Sequence, residues 1–342
     1  MPAPIRFGIV GFDHWYSAIP LAEAILAEPN ALLTGIADRS TERVEELSDR
    51  FGAPGTTDLA SLINSPDVDV IASFVSVDQN PEVCIAAARA GKHIISIKPL
   101  ALTLEEADAI RAEVRAAGVV FIPGESRSRG SDQNQLIAQI VRSGRLGRIR
   151  SGSFSLSGIL PSQWPGVDGP GWWGDPLRTL GGAWVDHAIY QIDRLRWLLD
   201  EDVISISGRI ANLAHPDLPV EDYGHAILET SSGAVFSIED TWSAPTGGWR
   251  ITTTLVGSEG VLHVDTSTGR FSIVDEAGRS QGWTQFASPS DYSEGVDAML
   301  EAIAHPGRAI ANVDDAWDNL AACVGFYEAA RTGTTVEPQR RA

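Results

Sequence analysis

Two lysines are distinctive in this chain, because all of its other basic side chains except histidine are arginines. Lys98 lies between the apolar run His93–Ile97 and Pro99, whereas Lys92 precedes that run. A lysine ammonium is compact and gives up its proton more readily than a guanidinium does. A lysine at position 98 therefore indicates proton transfer, or stabilisation of negative charge that develops on an oxygen.

A second group of ionisable side chains lies close together at Asp186, His187, Tyr190 and Asp193. Asp186 and Tyr190 are four residues apart, so they share one face of a helix. A phenol can relay a proton, but it is a poor base without a nearby cation, and Lys98 could be that cation. His187 lies about 100° round the helix from Asp186 and is the secondary candidate. Asp193 is either a substrate ligand or a hydrogen-bonding partner that faces its own helix.

The segment from Gly8 to Tyr16 joins a strand pattern to a helix pattern, which is where a dinucleotide-binding loop lies. Only the first glycine of the G-x-G-x-x-G fingerprint is present, as Gly11, and Asp13 holds the second position. A carboxylate about 5 Å from a phosphate costs roughly 3 kcal/mol at an effective dielectric of about 20. Three alternatives follow: Asp13 turns away, the dinucleotide lies differently, or none binds.

Asp38 supports a dinucleotide, because it ends the apolar run Ala31–Ala37 where an acidic residue holds the ribose hydroxyls of NAD. Arg39 could instead receive the 2′-phosphate of NADP. We therefore expect NAD, with NADP as the alternative. The same three residues, Asp38 to Ser40, are equally typical of a turn that caps a helix.

Up to about residue 125, the elements that must position these side chains alternate between strand and helix patterns. Such alternation predicts a parallel sheet with helices on both faces. Ser40 or Thr41 is a plausible cap for one of these helices, and Thr103 for another. The predicted strands are 6–10, 31–37, 70–77, 93–97 and 119–122, and the predicted helices are 19–27, 41–50, 81–90 and 103–117.

Beyond residue 125 the chain changes to short alternating runs with glycine-containing turns, which predict hairpins and a largely antiparallel sheet. The predicted strands are 149–156, 203–210, 225–229, 234–239, 250–256, 261–264 and 271–274, and the predicted helices are 136–141, 184–199, 295–304 and 315–331. We therefore predict an α/β domain at 1–124 and an α+β domain at 125–342.

Several motifs resemble those of the Gfo/Idh/MocA oxidoreductases, the family of glucose–fructose oxidoreductase and inositol dehydrogenase. Ala90–His93 and Ile97–Leu100 correspond to the family's Ala-Gly-Lys-His and Glu-Lys-Pro segments, with isoleucine in place of the glutamate. Gly144–Gly147 and Gly181–Asp193 correspond to segments of its second domain, with Tyr190 in place of a histidine. The similarity covers nearly the whole chain.

This resemblance implies a Rossmann domain with a parallel sheet, followed by an α+β domain with a large, open, mainly antiparallel sheet. It implies hydride transfer between NAD(P) and a hydroxyl or keto group of a sugar, glycoside or cyclitol. It also implies catalytic roles for Lys98, Asp186 and Tyr190, with His187 as a substitute base. The residues assigned to the cofactor are Gly8, Gly11, Phe12, Asp13, His14, Trp15, Asp38, Arg39, Val75, Ser76, Asn80, Lys98, Pro99 and Arg127.

Trp172 and Trp173 lie in a glycine-rich loop just before the predicted helix that carries Asp186. Aromatic faces suit the apolar faces of sugar rings, so both tryptophans and Asp193 are candidates for binding the substrate. The alternative is that the tryptophans only fill space between the two domains.

The overall composition restricts the partners. A formal net charge of −19 over 342 residues disfavours nucleic acids and anionic lipid surfaces. No apolar run reaches a membrane-spanning length and no signal-peptide pattern begins the chain, so we expect a cytoplasmic protein. The two cysteines and the scattered histidines lack metal-ligand spacing, so no metal is expected. An open sheet with one uncovered face predicts a homodimer or homotetramer.

Two alternatives to a dehydrogenase stay open. A catalytically silent relative that binds sugar is favoured by the departures at Asp13, Tyr16, Ile97 and Tyr190. An enzyme without net redox change, which keeps a tightly held NAD, is the other.

Overall fold

The fold is known from a computed structural model, which describes residues 3–288 and 294–341. The described chain forms two compact units. The first contains the residues up to Arg127 together with Leu177–Thr179 and Glu294–Trp317, and the remaining described residues form the second. This division differs from a single boundary after residue 124, because two later segments return to the first unit.

The first unit contains a six-stranded sheet in the order β3-β2-β1-β4-β5-β6, and all of its strand pairs are parallel. The chain reverses its direction of progress across the sheet between β1 and β4, which is where open α/β sheets bind ligands at the carboxyl ends of their strands. The elements are β1 (Ile5–Val10), α1 (Trp15–Ala27), β2 (Ala31–Ala37), α2 (Thr41–Phe51), β3 (Gly55–Thr56), α3 (Leu59–Ile63), β4 (Val70–Ser73), α4 (Asn80–Arg89), β5 (His93–Ile95), α5 (Leu104–Ala117) and β6 (Phe121–Ile122).

Side-chain caps fix where α2 and α5 begin, and both predicted caps are confirmed. The Ser40 hydroxyl accepts a hydrogen bond from the Arg43 backbone N–H at the start of α2. Thr103 and Glu106 form a reciprocal capping box at the start of α5. Each cap satisfies backbone N–H groups that have no partner within the helix.

Several predictions of local structure in this unit differ from the structure, and strand β5 ends at Ile95 rather than Ile97. Strand β4 ends at Ser73 rather than Val77, because the chain turns into a short 3-10 helix at Val77–Gln79. Helix α1 begins at Trp15, four residues before the predicted start at Ile19. The short elements β3 and α3 were missed, because they contain too few residues to show periodicity.

The second unit contains an eight-stranded sheet in the order β14-β13-β12-β11-β7-β10-β9-β8. It is antiparallel except for the parallel pair of β7 and β10. The remaining elements of the chain are α6 (Asp132–Arg142), β7 (Ile149–Ser157), α7 (Ala183–Leu199), β8 (Val203–Ala211), β9 (Tyr223–Thr230), β10 (Val235–Thr241), β11 (Arg250–Gly257), β12 (Gly260–Asp265), β13 (Arg270–Asp275), β14 (Thr284–Gln285), α8 (Val296–Ala304) and α9 (Val313–Thr332).

One face of this sheet carries the core of the second unit, and α7 packs on it against β9 and β10. Strand residues alternate between the two faces, so Phe236 and Ile238 point into the core while Val235 is exposed. On α7, Trp184, Ile189 and Ile192 are fully buried. The helix that carries the predicted catalytic residues is therefore anchored along its apolar side.

No helix in residues 3–288 or 294–341 is long and apolar enough to cross a membrane.

Candidate active site

Gly11, in the turn after β1, has the role of the first fingerprint glycine. Gly11 has a φ of +80° and donates its backbone N–H to the Ala37 carbonyl at 2.7 Å. A Cβ atom at this position would lie 2.5 Å from Val75 Cγ1 and 2.7 Å from the Val75 nitrogen. Only glycine allows both this conformation and this close approach. The loop after β1 is thus held against the loop after β4.

Asp13, at the second glycine position, turns its carboxylate onto two donors. Its Oδ1 lies 3.2 Å from Nη1 of Arg43, and its Oδ2 accepts the Ser76 backbone N–H at 3.0 Å. The Asp13 carboxylate is thus engaged by Arg43 and Ser76, although Asp13 also borders the cavity of the first unit. Arg43 was not among the predicted site residues, although it lies one turn into α2, after the cap at Ser40.

Asp38 directly follows β2 and is only 5% exposed. Its carboxylate accepts backbone N–H groups from Phe12 and Ser40, both at 2.9 Å, and lies 3.6 Å from Nη1 of Arg43. Burial raises the pKa of Asp38, and the hydrogen bonds and the Arg43 charge only partly offset this effect. Asp38 therefore caps the turn, as one alternative held, and also borders the cavity described next.

A cavity of about 390 Å³ opens beside these residues in the first unit. Arg178, from a distant part of the sequence, borders it and donates to the Ser76 hydroxyl at 2.6 Å. Sequence reasoning missed Arg178, because nothing in the sequence indicates that residues 177–179 pack with the first unit. The cavity is lined by Gly11, Asp13, Asp38, Arg39, Ser40, Arg43, Leu59, Val75, Gln79 and Arg178.

Several residues predicted at the cofactor are instead buried in the interior. Phe12 has no exposed surface, and His14 is almost fully buried with its Nδ1 3.0 Å from the Val75 carbonyl. Gly8 lies within β1, where a Cβ would crowd Val68 and Leu62. None of these three residues is among those that line the cavity, and their contact with a cofactor stays a prediction.

Asn80 and Arg127, which were also predicted at the cofactor, have partners within the protein. The Asn80 amide is fully buried and donates to the Ser96 hydroxyl at 2.9 Å and to the Leu100 carbonyl at 2.8 Å. Arg127 is buried and donates to the Ser17 hydroxyl at 2.6 Å. Both side chains are committed to partners within the first unit, so they support the loops around the site.

The two lysines differ sharply in their surroundings. Lys92 donates to the carbonyls of Ser65 and Val68, both at 2.7 Å, and so holds a loop. Lys98 follows β5 and is only 3% exposed. Gly124 packs against this segment so closely that a Cβ added to Gly124 would lie 3.0 Å from the backbone nitrogen of Lys98. Lys98 thus occupies a tightly packed strand end rather than a solvated surface.

In the second unit, α7 and the adjacent strand β10 bring two buried carboxylates to one imidazole. Asp186 accepts the indole N–H of Trp242 at 3.1 Å. His187 Nδ1 lies 3.4 Å from Asp186 Oδ2 and 3.6 Å from Oδ2 of Asp240, a residue that is 1% exposed. The helical-wheel expectation that His187 points away from Asp186 was therefore wrong, because flexible side chains converge from neighbouring positions.

Two aromatic rings border this imidazole. The Tyr190 ring centroid lies 6.5 Å from that of His187, and Trp249 approaches His187 edge-on at 5.1 Å. Trp249 is 46% exposed, which is unusual for so large an apolar side chain. Its position after the turn at Gly247-Gly248 gave no sign of its proximity to α7.

The three predicted substrate ligands of this unit are all buried. Asp193 forms a two-bond ion pair with Arg129 at 2.6 and 2.9 Å and accepts the Asn319 amide at 2.9 Å. Trp172 and Trp173 stack on each other with their centroids 4.0 Å apart. Asp193 is therefore a partner within the fold, as its alternative held, and neither tryptophan offers an exposed face.

Within residues 3–288 and 294–341, no group of three or more His, Cys, Asp or Glu side chains could hold a metal ion.

Several known proteins are similar to this chain over most of its length. Levoglucosan dehydrogenase of Pseudarthrobacter phenanthrenivorans is 28% identical, over 79% of this chain and 72% of its own. The 1,5-anhydro-D-fructose reductase of Ensifer adhaerens is 27% identical, over 82% of this chain and 83% of its own. A solved structure of levoglucosan dehydrogenase with NADH and L-sorbose matches with a TM-score of 0.87 at 23% identity, over 99% of this chain and 100% of that one.

Two family profiles match consecutive parts of the sequence. Residues 5–125 match an oxidoreductase family with an NAD-binding Rossmann fold. Residues 134–263 match the GFO/IDH/MocA C-terminal domain. Because the two matches together span well over half of the sequence, the chain belongs to the Gfo/Idh/MocA family of oxidoreductases.

Proposed function

We propose that this protein transfers a hydride between a nicotinamide dinucleotide and a hydroxyl or keto carbon of a sugar, glycoside or cyclitol. The observation that carries the proposal is the turn at Gly11, pressed against Val75 beside the buried Asp38, at the ends of parallel strands. This is the arrangement that admits a dinucleotide in such folds. Relatives that act on levoglucosan and on 1,5-anhydro-D-fructose support the substrate class.

The residues of the first unit fit a dinucleotide. The backbone at Gly11 allows phosphates to approach closely, and the Asp38 carboxylate suits ribose hydroxyls. Arg39 is exposed at the edge of the cavity and provides the alternative contact for a 2′-phosphate. The bound nicotinamide supplies or accepts the hydride.

The remaining requirement is a group that moves the proton of the substrate hydroxyl. Our candidates for this role are Lys98 in the first unit and Asp186 and Tyr190 in the second, with His187 as the second candidate base. His187 Nδ1 lies 3.4 Å from Asp186 and 3.6 Å from Asp240, and their negative charges favour a proton on Nδ1, which would leave Nε2 as the acceptor. The buried carboxylates therefore suit His187 to base catalysis better than the sequence alone suggested.

Trp249 is our candidate for recognising the sugar. Its exposed ring lies beside His187. An indole face pairs well with the apolar face of a pyranose or cyclitol ring, and its N–H stays available to a hydroxyl. We therefore assign to Trp249 the role that the sequence suggested for Trp172 and Trp173.

We further propose that the protein acts in the cytoplasm as a homo-oligomer, and that small sugar-like molecules rather than nucleic acids or membranes are its partners. The strongly acidic composition supports the exclusion of nucleic acids. The open sheet face of the second unit supports self-association.

A titration tests the dinucleotide directly, since the ten tryptophans provide an intrinsic fluorescence signal. We expect NADH to quench this signal with a lower dissociation constant than NADPH, because the Asp38 carboxylate repels a 2′-phosphate. A Gly11→Val variant should lose this binding, because its side chain would collide with Val75. Tighter binding of NADPH would show that Arg39 dominates the preference.

A second assay tests the reaction itself. The protein with NAD⁺ or NADP⁺ should reduce the cofactor with at least one of levoglucosan, 1,5-anhydroglucitol, glucose and myo-inositol. No binding of either cofactor at millimolar concentration would leave the silent sugar-binding relative as the function. Binding with no net reduction, and with NAD retained through purification, would indicate the non-redox alternative.

A further inference from the structure

The cavity of the first unit contains an electrostatic difficulty for the ligand proposed for it. Asp13 and Asp38 both border it, and a dinucleotide brings a doubly charged diphosphate. The second fingerprint glycine normally leaves this space without a charge. Arg39 and Arg178 border the same cavity, but Arg39 is exposed and Arg178 lies 3.4 Å from Asp78, another carboxylate.

The Arg43 guanidinium lies close to both carboxylates and offsets part of their negative charge. Its Nη1 lies 3.2 Å from Asp13 Oδ1 and 3.6 Å from Asp38 Oδ2, so one guanidinium nitrogen serves both carboxylates. The side chains of Arg43 and Asp13 are both largely buried, at 23% exposure, so water screens the pair only in part. Arg43 also borders the same cavity, next to both acids.

Asp13 performs a task that glycine could not. Its other oxygen accepts the Ser76 backbone N–H at 3.0 Å, which ties the turn after β1 to the loop after β4. This tie lies beside the close approach of Gly11 to Val75 and joins the same two loops. Asp13 thus adds a hydrogen bond to a contact that the first glycine makes by shape alone.

We infer that Asp13 and Arg43 together replace the second glycine of the dinucleotide fingerprint. Asp13 fixes the turn against Ser76, and Arg43 offsets part of the negative charge of the Asp13 and Asp38 carboxylates so that the cavity accepts a diphosphate. Arg43 is therefore a positioning residue that acts through the two acids. This inference rests on the proposed function, because it requires a dinucleotide in the cavity.

The test is a double-mutant cycle that measures dissociation constants for NADH, ADP and adenosine by calorimetry. Arg43→Met should weaken NADH and ADP by about tenfold or more, because it leaves two carboxylates beside the diphosphate. Uncharged adenosine should bind all variants alike. Asp13→Asn keeps an acceptor for Ser76 but removes the charge, so the double variant should regain most of the lost NADH affinity.

Arg50→Met is the matched control. Arg50 lies on the same helix and pairs on the surface with Glu23 at 2.7 Å, away from the cavity. It should bind NADH as the unaltered protein does. Thermal melting of every variant separates a loss of affinity from a loss of folding.

Three results would overturn the role of the pair. NADH binding by Arg43→Met that equals that of the unaltered protein would show that no compensation is needed. A double variant as weak as Arg43→Met would make Arg43 a direct phosphate ligand. If Arg43→Met weakens adenosine binding as much as NADH binding, Arg43 only supports the structure of the loop. By contrast, an unaltered protein that binds no NADH would overturn the proposed function itself.

Discussion

Lys98 and Lys92 differ in what each ammonium can do, although they are only six residues apart. Lys92 donates to two carbonyl oxygens of a loop, and Lys98 is buried just after β5, at the end of the strands where a sheet of this kind presents catalytic groups. These positions favour a chemical role for Lys98 and a structural role for Lys92.

We predict that Lys98→Met lowers kcat by roughly 10²-fold or more, the usual effect of losing acid–base assistance. Lys92→Met should leave kcat nearly unchanged but lower the free energy of unfolding by about 1–2 kcal/mol, because two charge-assisted hydrogen bonds are lost. Steady-state kinetics with the best substrate of the panel, together with denaturant titrations, would check both. Near-native turnover of Lys98→Met would remove this residue from the mechanism.

Tyr190 and His187 compete for the role of the base, and we expect Tyr190 to be the direct partner of the substrate. Tyr190→Phe should then abolish the alkaline-side dependence of kcat/KM, since the phenol proton is the one that titrates. His187→Asn should chiefly raise KM, because it loosens Asp186 and removes the ring that contacts Trp249. The pH profiles of both variants provide the measurement.

The structure also explains the opposite outcome, in which His187 rather than Tyr190 is the base. If His187→Asn abolishes turnover and Tyr190→Phe does not, His187 is the base. Asp240 would then be the carboxylate that fixes its tautomer. In that case Asp240→Asn should shift the acidic limb of the pH profile as well.

Single residues also show how far the sequence could predict the site. Gly11 and Asp38 were found because strand ends and a glycine turn identify them locally. Arg43 was missed, because the fingerprint assigns no role to the first turn of α2. Arg178 and Trp249 were missed for a different reason: each reaches its place through tertiary packing that has no local signal.

At the scale of secondary structure, α7 shows the same limit. Its periodicity predicted the helix, and its observed bounds differ by only one residue. Its N-terminus, however, is capped by Glu221, whose carboxylate accepts the backbone N–H groups of Gly182 and Trp184. Tyr327 donates its hydroxyl to the same carboxylate at 2.7 Å. Such a cap from distant residues cannot be predicted from spacing.

A pH-sensitive hydrogen bond joins His93 in β5 to Val120, the residue before β6, and belongs to the fold rather than to the site. His93 Nδ1 accepts the Val120 backbone N–H at 3.0 Å, which requires the unprotonated ring. Burial lowers the pKa of His93 below its ordinary value of 6.5, although the Asp69 charge partly opposes this effect. Below pH 6.5 the unfolded chain therefore binds more protons at this position than the folded one does.

We predict that this histidine lowers the free energy of unfolding as the pH falls below 6.5. The unaltered protein should lose about 1 kcal/mol more than His93→Gln between about pH 7.5 and about pH 5.5. Urea titrations at the two pH values check this, with the exposed His305→Gln as the control. Equal pH dependence in the unaltered protein and His93→Gln would contradict it.

At the scale of the whole molecule, the expected self-association depends on the open face of the eight-stranded sheet. Ile227 on β9 is 50% exposed on this face, and Val235 on β10 is exposed as well. The neighbouring strand β7 presents Ser153 and Ser155, so the face is flatter and more polar than an uncovered apolar surface. Small side chains let a second sheet approach closely, which suits a face-to-face contact between copies.

We predict that light scattering at micromolar concentration gives a homodimer or homotetramer. Ile227→Arg should shift this mass towards the monomer, because a face-to-face contact would bury its charge against the second copy without a partner. Leu26→Arg is the matched control, since Leu26 is 53% exposed on α1 of the first unit and should leave the mass unchanged. A monomer in the unaltered protein would refute self-association. An oligomer that Ile227→Arg leaves intact would place the interface elsewhere on the molecule.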